Sequence, residues 1–361
     1  MKALIVKDFG QLEIQDVTAP EPGPDEIQVK IAYSGICGTD PIIVEGKTFG
    51  RMLPIEGAIG WPRKPAPVTE DARVMGLPMR DGLKIIGHEA SGIISKIGKD
   101  AKAGFKIGQR VAMDFRCTCG VCYFCMNGMP NFCERLAPLS GVMAEYAVFK
   151  EKMIYPIPDE MPMDIGAFLE PVSIAVSVLD KAHMKSGDSV IITGGGTIGQ
   201  LILQMAIRSG ASKILVSEPI AEKRKLAKQL GADIVVDPIH EDLLAISNKF
   251  TDGRGFSIGF ETSGRASIAR QLILLAKIGG TVVWVATYPP NMDLGVPIFY
   301  MHIREITVHD VMPTMESFPR ALQMLPKLDI KPLITVYPFK DAIKAFEAHH
   351  QGKAVKIMLQ L

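Results

Sequence analysis

A regular alternation of short apolar runs and helical stretches, beginning near residue 185, restricts the fold more than any other feature of the chain. The apolar runs occupy residues 189–193, 213–217, 234–236, 256–260 and 281–286. Stretches with a helical pattern follow at residues 200–209, 222–230 and 266–276. Strands that alternate with helices in this way form a parallel sheet with helices on its faces. We therefore predict an α/β domain with five or six parallel strands.

The first apolar run leads directly into a glycine-rich turn. The turn consists of Gly194, Gly195, Gly196, Thr197, Ile198 and Gly199. In a G-x-G-x-x-G motif the first glycine permits a tight turn, the second lets the backbone approach a pyrophosphate, and the third lets helix and strand pack closely. The N-terminus of the following helix offers N–H donors and a positive dipole. The strand, the turn and the helix together predict a dinucleotide-binding site.

Glu218 indicates which dinucleotide this site prefers. It stands at the end of the next strand, 19 residues beyond Gly199. A carboxylate there accepts hydrogen bonds from the adenosine ribose hydroxyls and repels a 2′-phosphate. Two observations leave alternatives open: Glu218 can be a solvated strand end, and Lys223 and Arg224 are nearby cations that can accommodate a phosphate. We predict that NAD is preferred over NADP and include Arg224 in the cofactor site.

Size and composition indicate a cytoplasmic protein with two domains. The 361 residues are more than one hydrophobic core usually serves. Short alternating segments over residues 2–36 predict a β-rich N-terminal part. A net charge of +1 gives no electrostatic reason to expect nucleic acid or a membrane as a partner. No apolar run approaches the ~20 residues of a membrane-spanning helix, and Lys7 and Asp8 interrupt the apolar start too early for a signal peptide.

Five of the six cysteines lie between Cys117 and Cys133. Cys119, Cys122, Cys125 and Cys133 have the spacing C-x2-C-x2-C-x7-C. Such spacing can wrap one tetrahedral Zn²⁺ in a closed structural site, and the clustering suits a metal better than a set of disulfides. An iron–sulfur cluster is the main rival, because three closely spaced cysteines and a remote fourth also suit iron. We interpret Cys117, just outside the pattern, as a spare thiol.

A second candidate set is dispersed along the first half of the chain. It comprises Cys37 in Gly-Ile-Cys-Gly-Thr-Asp, His88 and Glu89 in Gly-His-Glu, and Glu170 in Leu-Glu-Pro. Each has an ordinary structural explanation when taken singly, since a lone buried cysteine is usually a small hydrophobic residue. Together they offer sulfur, nitrogen and oxygen ligands from remote segments, as an open catalytic zinc site does.

The order of these motifs resembles that of the zinc-containing medium-chain dehydrogenase/reductase family. The resemblance spans nearly the whole chain, and the ending Gly-Lys-Ala-Val-Lys-Ile-Met is similar to the family's last strand. It implies a GroES-like, β-rich catalytic domain from residues 1–170 and 306–361, with the cysteine lobe at about 115–135. A Rossmann domain is implied for residues 171–305, with a catalytic zinc in the cleft between the domains.

The resemblance also implies roles for individual residues. Cys37 and His88 correspond to zinc ligands, and Glu89 corresponds to a ligand in the polyol branch. Glu170 stands where many alcohol dehydrogenases place a second cysteine, and the Thr39 hydroxyl receives the substrate proton. The implied protein holds two zinc ions per chain, transfers hydride between NAD and a polyol, sugar, inositol or related alcohol, and forms a homotetramer or homodimer. Threonine- or butanediol-type activity is the alternative within this family.

The chain departs from the family pattern at two places. Ile42 stands where many relatives carry a histidine that ends the proton relay, so we expect the proton to leave through Glu89, Glu170 or water. The first two ligand motifs are separated by 51 positions, roughly twice the family's usual interval, and the additional residues fall in a proline-rich segment at 45–80. We predict that this insertion overhangs the substrate pocket, the alternative being a solvent-exposed loop without a role.

Two other classes of protein compete with this interpretation. A zinc-knuckle nucleic-acid binder would explain the clustered cysteines, but the nearly neutral charge and the α/β half oppose it. A redox sensor that binds NAD and zinc without turnover would not need the dispersed set of ligands. The sequence does not name the substrate. Candidates for contact with a polar ligand are Tyr33, Glu56, Trp61, Arg80 and Arg116.

Overall fold

A computed structural model describes residues 1–8, 10–45, 79–80, 83–101, 104–135, 141–288, 292–312 and 316–361. The chain forms two compact units. The first combines Met1–Glu170 with Ile334–Leu361, and the second is Pro171–Leu333. The proline-rich insertion lies almost entirely outside the described residues, so its suggested role over the substrate pocket stays a prediction.

The helices and strands follow one another along the chain. The N-terminal part contains β1 (Lys2–Asp8), β2 (Gln11–Asp16), β3 (Glu26–Gly35), α1 (Thr39–Val44), β4 (Met79–Arg80), β5 (Leu83–Lys84), β6 (Glu89–Ile97), β7 (Arg110–Met113), α2 (Tyr123–Met126), β8 (Tyr146–Lys150), β9 (Ile154–Pro156), α3 (Met163–Gly166) and α4 (Leu169–Ala182). Next come β10 (Ser189–Thr193), α5 (Thr197–Arg208), β11 (Lys213–Ser217), α6 (Ala221–Gln229), β12 (Ile234–Val236), α7 (Leu243–Phe250), β13 (Phe256–Glu261), α8 (Ala266–Leu275) and β14 (Ala276–Trp284). The chain ends with α9 (Ile298–Arg304), β15 (Thr307–Asp310), α10 (Ser317–Met324), β16 (Ile334–Pro338), α11 (Ala342–His350) and β17 (Lys356–Gln360).

The first unit is built on a mainly antiparallel sheet. Within the described residues its strands follow the order β16-β17-β3-β6-β7-β9, and β8 also pairs with β3. Alternate residues of β3, namely Ile27, Val29 and Ile31, are buried in one apolar cluster with Val111 and Phe149. This alternation follows from the two-residue period of a strand. The predicted β-rich domain is confirmed.

The second unit contains the predicted parallel sheet. Among the described residues its order is β12-β11-β10-β13-β14-β15, and neighbouring strands run parallel. Val190, Ile191 and Ile192 are all buried in β10, because helices cover both faces of a parallel sheet. The strand order reverses between β10 and β13, which lie next to each other in the middle. The α/β fold class is confirmed.

One domain boundary differs from the sequence-based expectation. The sequence places residues 306–333 in the first domain, whereas β15 pairs with β14 as the last strand of the parallel sheet, and this region belongs to the second unit. The four residues of β15 are partly or fully exposed. A short, exposed edge strand lacks the apolar run by which the other strands were predicted.

No helix in the described part of the chain combines the length and the apolar composition that crossing a bilayer requires.

Candidate functional site

Three of the four dispersed candidates meet in the first unit. Cys37 precedes α1, His88 lies just before β6, and Glu89 is the first residue of β6. Their ligand atoms all lie within 4.8 Å of one another. The pairing of β3 with β6 explains the meeting, because it sets Gly35 opposite Glu89. The histidine and the glutamate are buried and the cysteine is half-buried. Thiolate, imidazole and carboxylate in one group fit the mixed ligand set of a zinc site.

Gly35 makes room for this group. A Cβ atom at Gly35 would lie 2.1 Å from Glu89 Oε2 and 3.1 Å from Lys356 Cε. No side chain fits that space unless the Glu89 carboxylate moves. The glycine two residues before Cys37 is therefore part of the site's construction.

Asp40, which the sequence analysis did not single out, links two of the candidate ligands. Its side chain is fully buried, accepts the Cys37 N–H at Oδ2 (2.8 Å), and places Oδ1 3.5 Å from His88 Nδ1. Burial lowers the pKa of His88, but the charges of Cys37 and Asp40 outweigh it and raise this pKa well above its usual value. A carboxylate behind a histidine fixes the ring's orientation and its tautomer. The signal in the sequence was an acidic residue three positions after the cysteine.

Lys356 is the second residue that the sequence analysis missed. Its Nζ atom lies 2.5 Å from each oxygen of Glu89 and donates to the carbonyl of Ile36 at 3.0 Å. Both charged side chains are almost fully buried, at 3% and 2% exposure. Burial opposes the charge of Lys356, but Glu89 and Cys37 raise its pKa above the usual value. Glu89 is therefore held in place by a cation from β17.

Glu170 lies outside the group of three but interacts with it electrostatically. It is buried in the first turn of α4. Burial raises the pKa of Glu170 to about 7, assisted by Glu89 and opposed by His88, Arg116 and Lys356. Thr39, the first residue of α1, is partly exposed.

Arg116 is the best described of the suggested substrate contacts. It is buried, and its Nε donates to Asp114 Oδ1 at 3.1 Å. The guanidinium lies 4.9 Å from the centre of the Phe115 ring, and that ring meets His88 edge-on at 5.1 Å. Tyr33 is half-buried in β3. Glu56, Trp61 and the side chain of Arg80 lie outside the described residues.

The four predicted lobe cysteines also meet. The sulfur atoms of Cys119, Cys122, Cys125 and Cys133 lie within 4.8 Å of one another. The backbone N–H groups of Cys125 and Glu134 lower the pKa of Cys122 to about 6, while burial raises the pKa of Cys125 to about 11.

Backbone donors also point at the lobe's sulfur atoms. Cys119 N–H and Arg135 N–H donate to the sulfur of Cys133 at 3.2 and 3.3 Å. Four sulfurs supported by backbone N–H groups fit a closed tetrahedral zinc site. Cys117 is not in this group and packs against the core of the first unit.

The glycine-rich turn has the geometry that its sequence predicts. Gly194 has a φ of +104°, and a Cβ at Gly199 would lie 2.0 Å from the Gly194 carbonyl oxygen. Gly196 precedes α5, and a Cβ there would meet nothing within 4 Å. Thr197 and Ile198, in the first turn of α5, are partly exposed. This open backbone before a helix N-terminus fits the approach of a pyrophosphate.

Glu218 is buried rather than solvated, so the structure overturns the alternative of a solvated strand end. Its Oε2 accepts the N–H of Gly195 at 2.6 Å and its Oε1 accepts the N–H of Ile220 at 2.8 Å. A Cβ at Gly195 would lie 2.9 Å from Glu218 Cγ. The middle glycine, to which the sequence analysis gave no role, thus lets the carboxylate reach the turn.

Arg224 is held against the strand ends. Its Nη1 donates to the carbonyls of Glu218 and Pro219 at 2.7 and 2.6 Å, and its Nη2 lies 2.9 Å from Asp237 Oδ2. The guanidinium is therefore bound to protein acceptors.

Comparisons with known proteins agree with this arrangement. Residues 23–159 match the family model for the alcohol dehydrogenase GroES-like domain, and residues 197–327 match the model for zinc-binding dehydrogenases. The chain is 31% identical to L-threonine 3-dehydrogenase of Pyrococcus horikoshii, over 97% of this chain and 95% of the relative. It is 28% identical to sorbitol dehydrogenase of Gallus gallus, over 99% of this chain and 96% of the relative.

Solved structures of dehydrogenases have the same fold as this chain. An Escherichia coli alcohol dehydrogenase crystallised with NADH has a TM-score of 0.82 and 25% identity, and a Sinorhizobium meliloti protein crystallised with NADP has a TM-score of 0.84 and 27% identity. Each alignment covers 100% of this chain and 99% of the other.

The fold, the mixed ligand group and the four-cysteine lobe define a zinc-binding oxidoreductase of CH–OH groups. The chain belongs to the zinc-containing medium-chain dehydrogenase/reductase family, among the zinc-type alcohol dehydrogenases.

Proposed function

We propose that this protein is a zinc-dependent dehydrogenase that prefers NAD and interconverts a secondary alcohol and a ketone in a polyol, sugar, inositol or related polar substrate. The observation that carries the proposal is the group of half-buried Cys37 with buried His88 and Glu89, whose ligand atoms lie within 4.8 Å of one another. A mixed ligand set of three is typical of catalytic zinc, which keeps a position for substrate, whereas structural zinc is enclosed by four protein ligands.

The side chains would divide the work as follows. Cys37, His88 and Glu89 would hold the zinc, and Glu170 is the fourth candidate ligand. The bound zinc supplies a Lewis acid that lowers the pKa of the substrate hydroxyl, and NAD supplies the hydride acceptor. The Thr39 hydroxyl accepts the substrate proton.

Two neighbouring side chains would hold the zinc ligands in their positions. Asp40 keeps the His88 ring oriented, and Lys356 keeps Glu89 in place. Ile42 cannot carry the proton onward, so the proton leaves through Glu89, Glu170 or water.

The preference for NAD rests on two residues of the second unit. Each oxygen of Glu218 accepts one backbone N–H and retains a lone pair for a ribose hydroxyl. A 2′-phosphate would face this carboxylate, while Arg224, one of the two nearby cations, is already bound to Asp237 and two carbonyl groups. Glu218→Gln should therefore lower the ratio of kcat/KM with NAD to kcat/KM with NADP. Glu222→Gln is the matched control, because Glu222 is an exposed residue in the first turn of α6.

The test is zinc analysis followed by a substrate screen with NAD and with NADP. We expect two zinc ions per chain and NADH formation with at least one polyol, sugar or inositol. L-Threonine and butanediol belong in the screen, because L-threonine 3-dehydrogenase is 31% identical to this chain. One zinc per chain, or two zincs with nucleotide binding but no turnover of any alcohol, would favour the redox-sensor alternative.

A further inference from the structure

Glu261 is a buried carboxylate to which the reaction described above assigns no role. It is the last residue of β13, and its side chain has 0% exposure. The N–H groups of Ser263 and Gly264 donate to it at 2.7 and 3.2 Å, as do the hydroxyls of Ser263 and Tyr288. A carboxyl group so deeply buried needs such donors in place of water. Ser263 and Gly264 follow β13, whereas Tyr288 follows β14. The Glu261 carboxylate therefore connects the two loops.

Glu261 binds the loop after β14 through both its backbone and its side chain. The backbone carbonyl of Glu261 accepts the N–H groups of Val285 and Ala286 at 2.9 and 3.2 Å, and its carboxylate accepts the Tyr288 hydroxyl. Burial and the neighbouring Glu261 raise the pKa of Tyr288, so this hydroxyl keeps its proton and donates. Residues 285–288 are thus held at both ends by one residue of β13.

The second connection runs to the glycine-rich turn through Thr262. Its backbone N–H and its hydroxyl both donate to the Thr193 carbonyl at 2.9 Å, and the hydroxyl also lies 3.1 Å from the Gly194 carbonyl. A Cβ at Gly194 would lie 2.5 Å from this hydroxyl. The residues after β13 therefore connect the glycine-rich turn on one side with residues 285–288 on the other.

This junction stands where a parallel sheet binds a dinucleotide. The cofactor crosses the sheet at the carboxyl ends of the strands, where the strand order reverses, and here that place is between β10 and β13. Glu218 at the end of β11 marks the adenosine side, so the nicotinamide half falls on the side of β13 and β14. We propose that Glu261 and Tyr288 are positioning residues, which hold residues 285–288 as the surface that receives the nicotinamide half. This inference rests on the proposed dinucleotide site.

The test compares ligands that fill one or both halves of the site. Tyr288→Phe removes only the hydroxyl, and we expect the Kd for NADH, measured by calorimetry, to rise about tenfold, as for a lost hydrogen bond to a charged group. The Kd for AMP, which occupies the adenosine side alone, should change by less than about twofold. Tyr300→Phe is the matched control, because its hydroxyl donates to the Leu274 carbonyl at 3.1 Å in the same unit.

The outcomes separate this inference from the proposed function. A rise in the NADH Kd alone supports it, whereas equal weakening of NADH and AMP, or no weakening of either, overturns it. If the unaltered chain binds neither nucleotide, the proposed function fails and this inference fails with it. Glu261→Gln is the second variant: we expect KM for NAD to rise with little change in kcat, and a fall in melting temperature without that rise would indicate a purely structural role.

Discussion

The two candidate metal groups of the first unit are built in opposite ways. The four lobe cysteines come from one segment of fifteen residues, and their neighbours Val121, Tyr123 and Met126 are exposed. The mixed group of Cys37, His88 and Glu89 comes from separate segments, with its histidine and its carboxylate buried. Local spacing builds the lobe, whereas tertiary pairing of strands builds the mixed group.

This difference indicates which interactions hold each group of side chains in place. The cysteine side chains of the lobe are held by the lobe's own backbone, whose N–H groups donate to the sulfur of Cys133. The mixed group depends on buried charges that are not themselves in it, Asp40 and Lys356. We therefore expect loss of a lobe cysteine to affect folding, and loss of a ligand of the mixed group to affect metal affinity and turnover. Loss of a buried charge behind the mixed group should also affect stability.

Removing one ligand from the mixed group should give the largest effect. In Cys37→Ser, we expect turnover to fall about a thousandfold, because a Lewis acid contributes several kcal/mol and each 1.36 kcal/mol is a factor of ten. Metal analysis should show loss of one zinc while the melting temperature changes little. Retention of both zincs with full activity would contradict the assignment of Cys37.

The reciprocal change in the lobe should act on stability. In Cys119→Ser we expect one zinc to be lost and the melting temperature to fall by about 6–12 °C, as for a loss of about 3 kcal/mol, since structural zinc contributes to folding. Turnover per folded, zinc-loaded chain should remain close to that of the unaltered protein. Calorimetry and active-site titration measure the two quantities, and equal losses in both variants would remove the distinction between the groups.

Lys356→Met tests the buried ion pair behind the mixed group. Removing one partner of such a pair typically costs about 3–5 kcal/mol, because the other charge remains buried. We expect the free energy of unfolding, measured with urea, to fall by this amount, and Glu89→Gln in the same chain to restore part of it. Lys344→Met removes an exposed pair with Asp341 and should cost less than about 1 kcal/mol. Similar losses in the two lysine variants would show that burial of the pair is unimportant.

Asp40→Asn should give the smallest of these effects. Residues that orient a metal-bound histidine typically contribute about 10–100-fold in metal affinity or activity. We expect zinc affinity at the mixed group to weaken by that factor, measured by competition with a chelator, with no change at the lobe. A variant that releases zinc from both groups at the same chelator concentration would contradict a local role for Asp40.

The sequence predicted best those parts whose physical cause is local. Residues 189–193 and 213–217 agree with β10 and β11 residue for residue, because strands covered on both faces are continuously apolar. The glycine-rich turn and the cysteine lobe also follow from short spacings. Pattern alone could not extend this success to β15, whose exposed residues carry no apolar signal.

The supporting residues of the mixed group could not be predicted, because they depend on which strands pair. Lys356 reaches Glu89 only because β17 pairs with β3, which in turn pairs with β6. No local sequence pattern near residue 356 predicts that this lysine is buried. Asp40 was closer to recognition, since it lies within the Gly-Ile-Cys-Gly-Thr-Asp motif, but its contact with His88 requires the folded sheet.

The pairing of Lys356 with Glu89 has a consequence for biosynthesis. The two residues are 267 positions apart, so a ribosome that has finished β6 must still add most of the polypeptide before the lysine emerges. Domains tend to fold as they leave the ribosome, at roughly 5–20 residues per second. During that interval the Glu89 carboxylate lacks its cation, so the nascent N-terminal segment cannot complete this core. The buried ion pair can therefore form only after β17 has been synthesised.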